Sequence, residues 1–196
     1  MMASEKSKIG LFFGSFNPIH NGHLMLANYF LEFTDLGEIW FVVSPRNPLK
    51  DKQSLLADYH RLEMVNRAIE GFQRFRSSDI EFKLAKPSYT IHTLTYLSEK
   101  FPSKDFVLLV GGDNLQTFHK WRNPEAILDQ YQVYVYARPG FEGGQFAQHH
   151  NISVYDAPLL EVSSSFIRDA IKKGKDMRFF MPEKAYTYMD EMNFYK

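Results

Sequence analysis

The segment Gly14–His23, GSFNPIHNGH, concentrates the side chains most able to do chemistry. His20 and His23 are spaced so that two imidazoles can face one ligand from a single helical turn, and each can donate to a phosphate oxygen whether neutral or protonated. Gly22 removes a side chain where a ligand approaches the backbone, and free N–H groups at a helix start attract anions. Gly14 gives a tight exit from the preceding apolar run, and Pro18 stiffens the turn. Three readings stay open on these residues alone: a phosphate site, a surface or capping histidine, and a metal pair. The last lacks a third ligand at suitable spacing nearby. The turn is not G-x-G-x-x-G and has neither the Lys nor the Ser/Thr of a Walker A loop, so neither common nucleotide fingerprint applies.

Other segments carry candidate groups. Ser163, Ser164 and Ser165 precede Arg168 at a helix start; they read as an N-cap run with a solvated arginine, or as a second anion contact. Ser163–Lys184 holds six Lys/Arg against three Asp/Glu, a local excess suited to a polyanion. Lys50 lies on a Pro-restrained loop, SPRNPLKDKQSLL, either as a mobile cation or as an ordinary exposed lysine. Gly111 and Asp113 follow the apolar run DFVLLV, where Asp113 could accept from a hydroxyl or cap the next helix. Trp121, between Lys120 and Arg122, reads as a partly buried anchor or a stacking surface. The pair His149-His150 has no assigned role.

The elements that must position these groups alternate between strand and helix. Strands are expected at Lys8–Phe13, Glu38–Val43, Ile80–Phe82, Asp105–Val110, Tyr131–Ala137 and Ile152–Tyr155. Helices are expected at His23–Leu36, from an N-cap at Asp58 through Gly71, at Tyr89–Lys100, in pieces up to Asp129, at Ser163–Lys173, and at Pro182–Asn193 with Pro182 in the first helical position. This order implies βαβ units: an α/β fold with one Rossmann-like, doubly wound, mostly parallel sheet covered by helices on both faces. One domain over 1–196, with 1–7 as a loose N-terminal end, is expected. In such sheets ligands bind beyond the carboxyl ends of the strands, so the turn after the first strand is where a site belongs.

Composition narrows the classes. The 196 residues are 44% hydrophobic and 23% charged, which suits a globular core and not a disordered chain. Lys+Arg and Asp+Glu are both 23, so the chain lacks the basic excess of a non-specific nucleic-acid binder. With no Cys, disulfides, thiolate nucleophiles and Cys-ligated zinc are excluded. No apolar run approaches the ~20 residues of a membrane span, and MMASEKSK has no signal-peptide pattern. A cytoplasmic protein is expected.

Taken whole, the first segment resembles the signature G-x-F-x-P-x-H-x-G-H of the nucleotidyltransferase superfamily, with Gly14, Phe16, Pro18, His20, Gly22 and His23 at every fixed position. VSSSFIR, Val162 to Arg168, resembles that superfamily's I-S-S-[TS]-x-[IL]-R. KPSYTIHTL (Lys86–Leu94) and LLVGGDNLQTFHKW (Leu108–Trp121) are similar to stretches of the nicotinate-nucleotide adenylyltransferases. The resemblance implies adenylyl transfer from ATP, accompanied by Mg²⁺, to nicotinate mononucleotide. It implies catalytic roles for His20, His23, Lys50 and Arg168. Gly14, Ser15, Phe16, Gly22, Gly111, Asp113, Ser164 and Ser165 would surround ATP, and Tyr89, Thr90 and Trp121 the pyridine nucleotide. No residue is assigned to a resident metal, no nucleic acid or membrane partner is implied, and a homo-oligomer is compatible. Three positions depart from the pattern: Asn17 where Asp is frequent, Leu49 where a His precedes Lys50, and His92 where Asp is common. The same chemistry on NMN or phosphopantetheine, and a catalytically silent nucleotide-binding regulator, remain as alternatives.

Overall fold

A computed structural model describes residues 7–45, 55–137, 140, 143–158 and 160–196. Lys50, with Leu49, lies outside the described residues. In chain order the elements are β1 (Ser7–Gly14), α1 (Asn21–Phe33), β2 (Glu38–Val43), α2 (Asp58–Ile69), β3 (Phe75–Ser78), α3 (Ile80–Lys83), α4 (Thr90–Lys100), β4 (Lys104–Gly111), α5 (Gly112–Gln116), α6 (Pro124–Gln130), β5 (Gln132–Tyr136), β6 (Ile152–Tyr155), α7 (Ser164–Lys172) and α8 (Glu183–Glu191). Short 3-10 turns stand at Phe118–Lys120 and Arg178–Phe180.

The six strands form one sheet in the order β3-β2-β1-β4-β5-β6, with every neighbouring pair parallel. The order reverses between β1 and β4, which lie side by side and open a crevice beyond their carboxyl ends. Strict alternation along each strand divides the core. Phe12, Phe41, Val107, Leu109 and Tyr134 join the cluster on one face with residues of α1, α2, α7 and α8. Leu11, Trp40, Val42, Leu108 and Val133 join the other with residues of α4 and α6. The central strands are covered on both faces, which is why they read as continuous apolar runs. No helix among the described residues is long and apolar enough to cross a membrane.

Four expectations are corrected. Ile80–Phe82 is helical, not a strand: it lies in α3, with Ile80 and Glu81 buried. The strand is instead β3, FRSS, which pairs only with β2 at the sheet edge and therefore needs no two-sided apolar pattern. Asp58 is the first residue of α2 and not its N-cap, which is Ala57; the Asp58 carboxylate accepts from Arg61 at 2.5 Å. Pro182 is the N-cap of α8 and not its first residue. α1 also begins two residues earlier than expected, so His20 becomes its N-cap and His23 falls within its first turn.

Candidate active site

His20 and His23 come together at the start of α1. Their rings stack with centroids 3.6 Å apart and planes 24° from parallel. The His20 backbone N–H donates to His23 Nδ1 at 3.2 Å. This satisfies one of the helix's orphan donors and assigns Nδ1 as the acceptor, so a neutral His23 carries its proton on Nε2. The Phe16 ring meets His23 edge-on at 5.1 Å and fixes it from below. Phe16 itself is buried and adopts φ 43, a left-handed conformation uncommon for a bulky residue. With the ring used as packing, any contact of Phe16 with a ligand falls to its backbone.

The turn that presents the two histidines is held through its carbonyl groups by residues from distant parts of the chain. Arg61 of α2, with no exposed surface, donates from Nη1 to the Ser15 carbonyl at 2.6 Å and to the Ser44 carbonyl at 2.7 Å. These are the chain just past β1 and just past β2. Its Nε donates to the Leu56 carbonyl at 3.1 Å. Burial draws this guanidinium below its usual range, opposed by Asp58. From the other side, Ser164 Oγ donates to the Pro18 carbonyl at 2.8 Å, and Arg168 Nη1 donates to the Asn17 carbonyl at 2.7 Å. The two sequence motifs, joined by contacts 146 and 151 positions apart, are thus one unit in space. Ser163 caps α7 by accepting the Phe166 N–H, which fixes the helix start against the loop.

A pocket of about 530 Å³ opens above this unit, with His20, Gly22, His23, Ser164, Phe166 and Tyr136 among its walls. A Cβ on Gly22 would lie 3.0 Å from Val162 Cγ1 and 3.1 Å from His20 Nδ1. Gly22 therefore lets α1 pack closely on the segment leading into α7. At the end of β4, a Cβ on Gly111 would lie 2.5 Å from Asp113 Oδ1 and 3.0 Å from the Tyr136 ring. Tyr136 links this corner to the pocket wall. Ser15 and Ser165 are exposed nearby, and Arg168 Nη2 donates to Ser165 Oγ at 3.1 Å.

Tyr89, Thr90 and Trp121 lie on the other face of the sheet. Tyr89 is the N-cap of α4, and Thr90 its first residue. Arg122 stands 5.9 Å from the Tyr89 ring centroid, which brings the Trp121 segment to the start of α4. One side of Trp121 packs against Phe118 at 4.8 Å, and the residue is half-buried. Trp121 is thus a partly buried anchor that retains an exposed part.

Sequence reasoning missed several contributors. An arginine on the buried face of α2, in phase with Met64, Val65 and Ala68, was the available signal for Arg61. Glu81 is buried and accepts from Thr93 Oγ1 of α4 at 2.9 Å. Burial raises its pKa, while hydrogen bonds from Thr93, Ser44 and Ser88 oppose that shift. Tyr195 reaches Asn17, a contact with no local sequence signal. A cleft of about 610 Å³ at the amino ends of the strands is comparable in size to the pocket above the histidines. Its lysines are engaged, Lys8 with Asp35 and Lys104 with Glu38, and it holds no comparable set of converging donors.

Among the described residues no group of three His, Cys, Asp or Glu side chains could hold a metal ion. The donors at the pocket are imidazoles, hydroxyls and backbone amides, which suit phosphate oxygens. An Mg²⁺ that enters on ATP keeps most of its waters and requires no protein cage.

A parallel α/β sheet with paired histidines at its switch point and a serine-capped helix across from them defines a nucleotidyltransferase. The Cytidylyltransferase-like family model matches residues 11–170. A protein of Christiangramia forsetii named "Probable nicotinate-nucleotide adenylyltransferase" is 52% identical over 191 residues, covering 96% of this chain and 98% of that protein. One of Bacteroides thetaiotaomicron with the same name is 45% identical, covering 97% and 95%. The solved structure of Plasmodium falciparum nicotinic acid mononucleotide adenylyltransferase complexed with NaAD has a TM-score of 0.79 at 20% identity, covering 96% of this chain and 97% of that one. The chain belongs to the nicotinate-nucleotide adenylyltransferase family.

Proposed function

We propose that this chain transfers the adenylyl group of ATP, bound with Mg²⁺, to nicotinate mononucleotide, forming deamido-NAD in NAD biosynthesis. A phosphate oxygen of the acceptor attacks the α-phosphorus in line. The bond from that phosphorus to the bridging oxygen breaks, and pyrophosphate leaves. A phosphate monoester is already a nucleophile, so the protein supplies position and charge neutralisation in place of an activated side chain.

The observation that carries this reading is the stacked His20–His23 pair at a helix start, facing a pocket whose opposite wall is the second motif. His23, with Nδ1 occupied by the His20 amide, offers Nε2–H to the α-phosphate; His20 supports it. Ser164, Ser165 and the α7 start receive the β- and γ-phosphates, with Arg168 completing that side and Lys50 as a further cation for them. Gly14, Ser15, the Phe16 backbone and Gly22 leave room along the triphosphate, and Gly111 with Asp113 takes the adenosine ribose. At the other face Trp121 stacks on the pyridine ring. Backbone donors near Tyr89 and Thr90, at the positive end of α4, take its carboxylate. A cytoplasmic location, where ATP is supplied, belongs to the same proposal.

The test is pyrophosphate release with ATP and Mg²⁺, offering nicotinate mononucleotide, NMN and phosphopantetheine in parallel. Release with the acid nucleotide at a much higher kcat/KM than with NMN is expected. Preference for NMN would overturn the substrate assignment. No release with any acceptor, with ATP still bound, would leave a nucleotide-binding regulator.

A further inference from the structure

Asn17 sits inside the first motif, between the left-handed Phe16 and Pro18, and its side chain is almost wholly buried. Its Oδ1 accepts from the Tyr195 hydroxyl at 2.6 Å and from the Leu56 N–H at 3.3 Å, and its carbonyl accepts from Arg168. Tyr195 comes from the segment after α8, 178 positions along the chain. Asn193, φ 54, is the left-handed residue that closes α8, an ordinary place for Asn, whereas Tyr195, φ 64, is left-handed with a bulky ring. A bulky residue adopts that conformation only where its surroundings over-determine it, and such positions gather at functional sites. The ring is buried in the core on the α1 and α2 face, and its hydroxyl lies close enough to Arg61 and Arg168 to feel both charges. These are the two arginines that hold the motif turn by its carbonyls. Burial raises the Tyr195 pKa, which keeps the hydroxyl a neutral donor.

We infer that Tyr195 is a positioning residue for adenylyl transfer: through Asn17 it locks the Phe16–Pro18 turn and so sets the angle at which His20 and His23 face the triphosphate. The inference rests on the adenylyl-transfer reading for its kinetic consequence, but not for its structural one. Tyr195 touches no substrate. Its hydroxyl acts on the one polar side chain of that buried turn, while Arg61 and Arg168 act on the backbone. Arg168 Nη1 is committed to the Asn17 carbonyl, so a shift of Asn17 also moves the phosphate-side helix.

The test compares Tyr195→Phe, Asn17→Ala and the double variant. Tyr195→Phe keeps the buried ring and removes a single hydroxyl. It is expected to lower kcat about tenfold, the scale of one lost hydrogen bond, with KM for both substrates within about twofold. In the Asn17→Ala background, adding Tyr195→Phe is expected to change kcat less than about twofold, because the path is already cut. A kcat for Tyr195→Phe within twofold of the unaltered chain, or effects that multiply in the double variant, would overturn the inference. A second readout does not depend on turnover: the ring ¹⁵N signals of His20 and His23. The unaltered chain should show a single His23 tautomer, and Tyr195→Phe should shift or broaden those signals. Unchanged imidazole signals would overturn the proposal even in a chain that releases no pyrophosphate, an outcome that would separately remove the functional reading.

Discussion

At the scale of single residues, the stacked imidazoles decide what the turn can do. His23 Nδ1 accepts the His20 amide, so a neutral His23 carries its proton on Nε2. A donor aimed where charge gathers is worth most at the transition state, where removing one such group costs about 10²–10³ in rate. His23→Ala is therefore expected to cut kcat on that scale while KM for ATP moves only a few-fold; equal losses in binding, with turnover kept, would remove the role. Glu81 makes a different prediction. Burial holds its pKa above the ordinary 4.5, so the folded protein binds this proton more tightly than the unfolded chain does. The stability this proton confers is complete below pH about 4.5 and is lost as pH rises through the folded-state value. Glu81→Gln keeps an acceptor for Thr93 and removes the ionisation. Its Tm relative to the unaltered chain should accordingly rise between pH 4.5 and 8. A constant difference across that range would show that Glu81 is ionised throughout.

At the scale of elements, the site is made by how α1, α2 and α7 meet around one turn. Strands β1, β2 and β4 were legible because they are buried on both faces and read as unbroken apolar runs, and the two motifs marked the starts of α1 and α7. β3 was not legible: FRSS is short, half-polar and paired on one side, while the neighbouring IEF imitates a strand yet turns Ile80 into the core and Glu81 toward Thr93. The histidine pair was read from spacing, but Arg61 and Tyr195 act through contacts that only the folded chain creates. Gly22 tests the helix junction. Its hydrogen faces Val162 Cγ1, so Gly22→Ala must push the α7 lead-in or the His20 ring by a few tenths of an ångström. Overpacking of this kind costs about 1–3 kcal/mol. Gly22→Ala should lower both Tm and kcat, and adding Val162→Ala should restore part of each. A loss of kcat that Val162→Ala leaves untouched would place the clash on His20 instead. For Arg61→Met, three carbonyls and the Asp58 carboxylate lose their donor together. A destabilisation of about 3–5 kcal/mol is expected, read as a fall in the urea midpoint. A midpoint within error of the unaltered chain would show that water replaces the guanidinium.

At the scale of the whole molecule, the sheet separates two tasks. The histidines, Gly22, Ser164 and Arg168 belong to the face packed by α1, α2, α7 and α8, and Thr90 and Trp121 to the face packed by α4 and α6. The two sets share only the strand ends at the switch point, where β1 and β4 lie side by side. Perturbations on opposite faces should therefore combine without coupling. Trp121→Ala removes the exposed part of the indole together with its packing on Phe118. It is expected to raise KM for the pyridine nucleotide about tenfold or more, the order of an aromatic stacking contact, with KM for ATP little changed. Combined with Gly22→Ala, its effect on kcat/KM should add as a free energy to within about 0.5 kcal/mol, as holds for distant sites with no shared partners. The measurement is kcat/KM for the unaltered chain, both single variants and the double, with each substrate varied in turn. Coupling well beyond that margin would mean that the pyridine side and the triphosphate side close on each other across the strand ends. Additivity would establish that each face carries its own half of the reaction and that the sheet merely holds the halves in register.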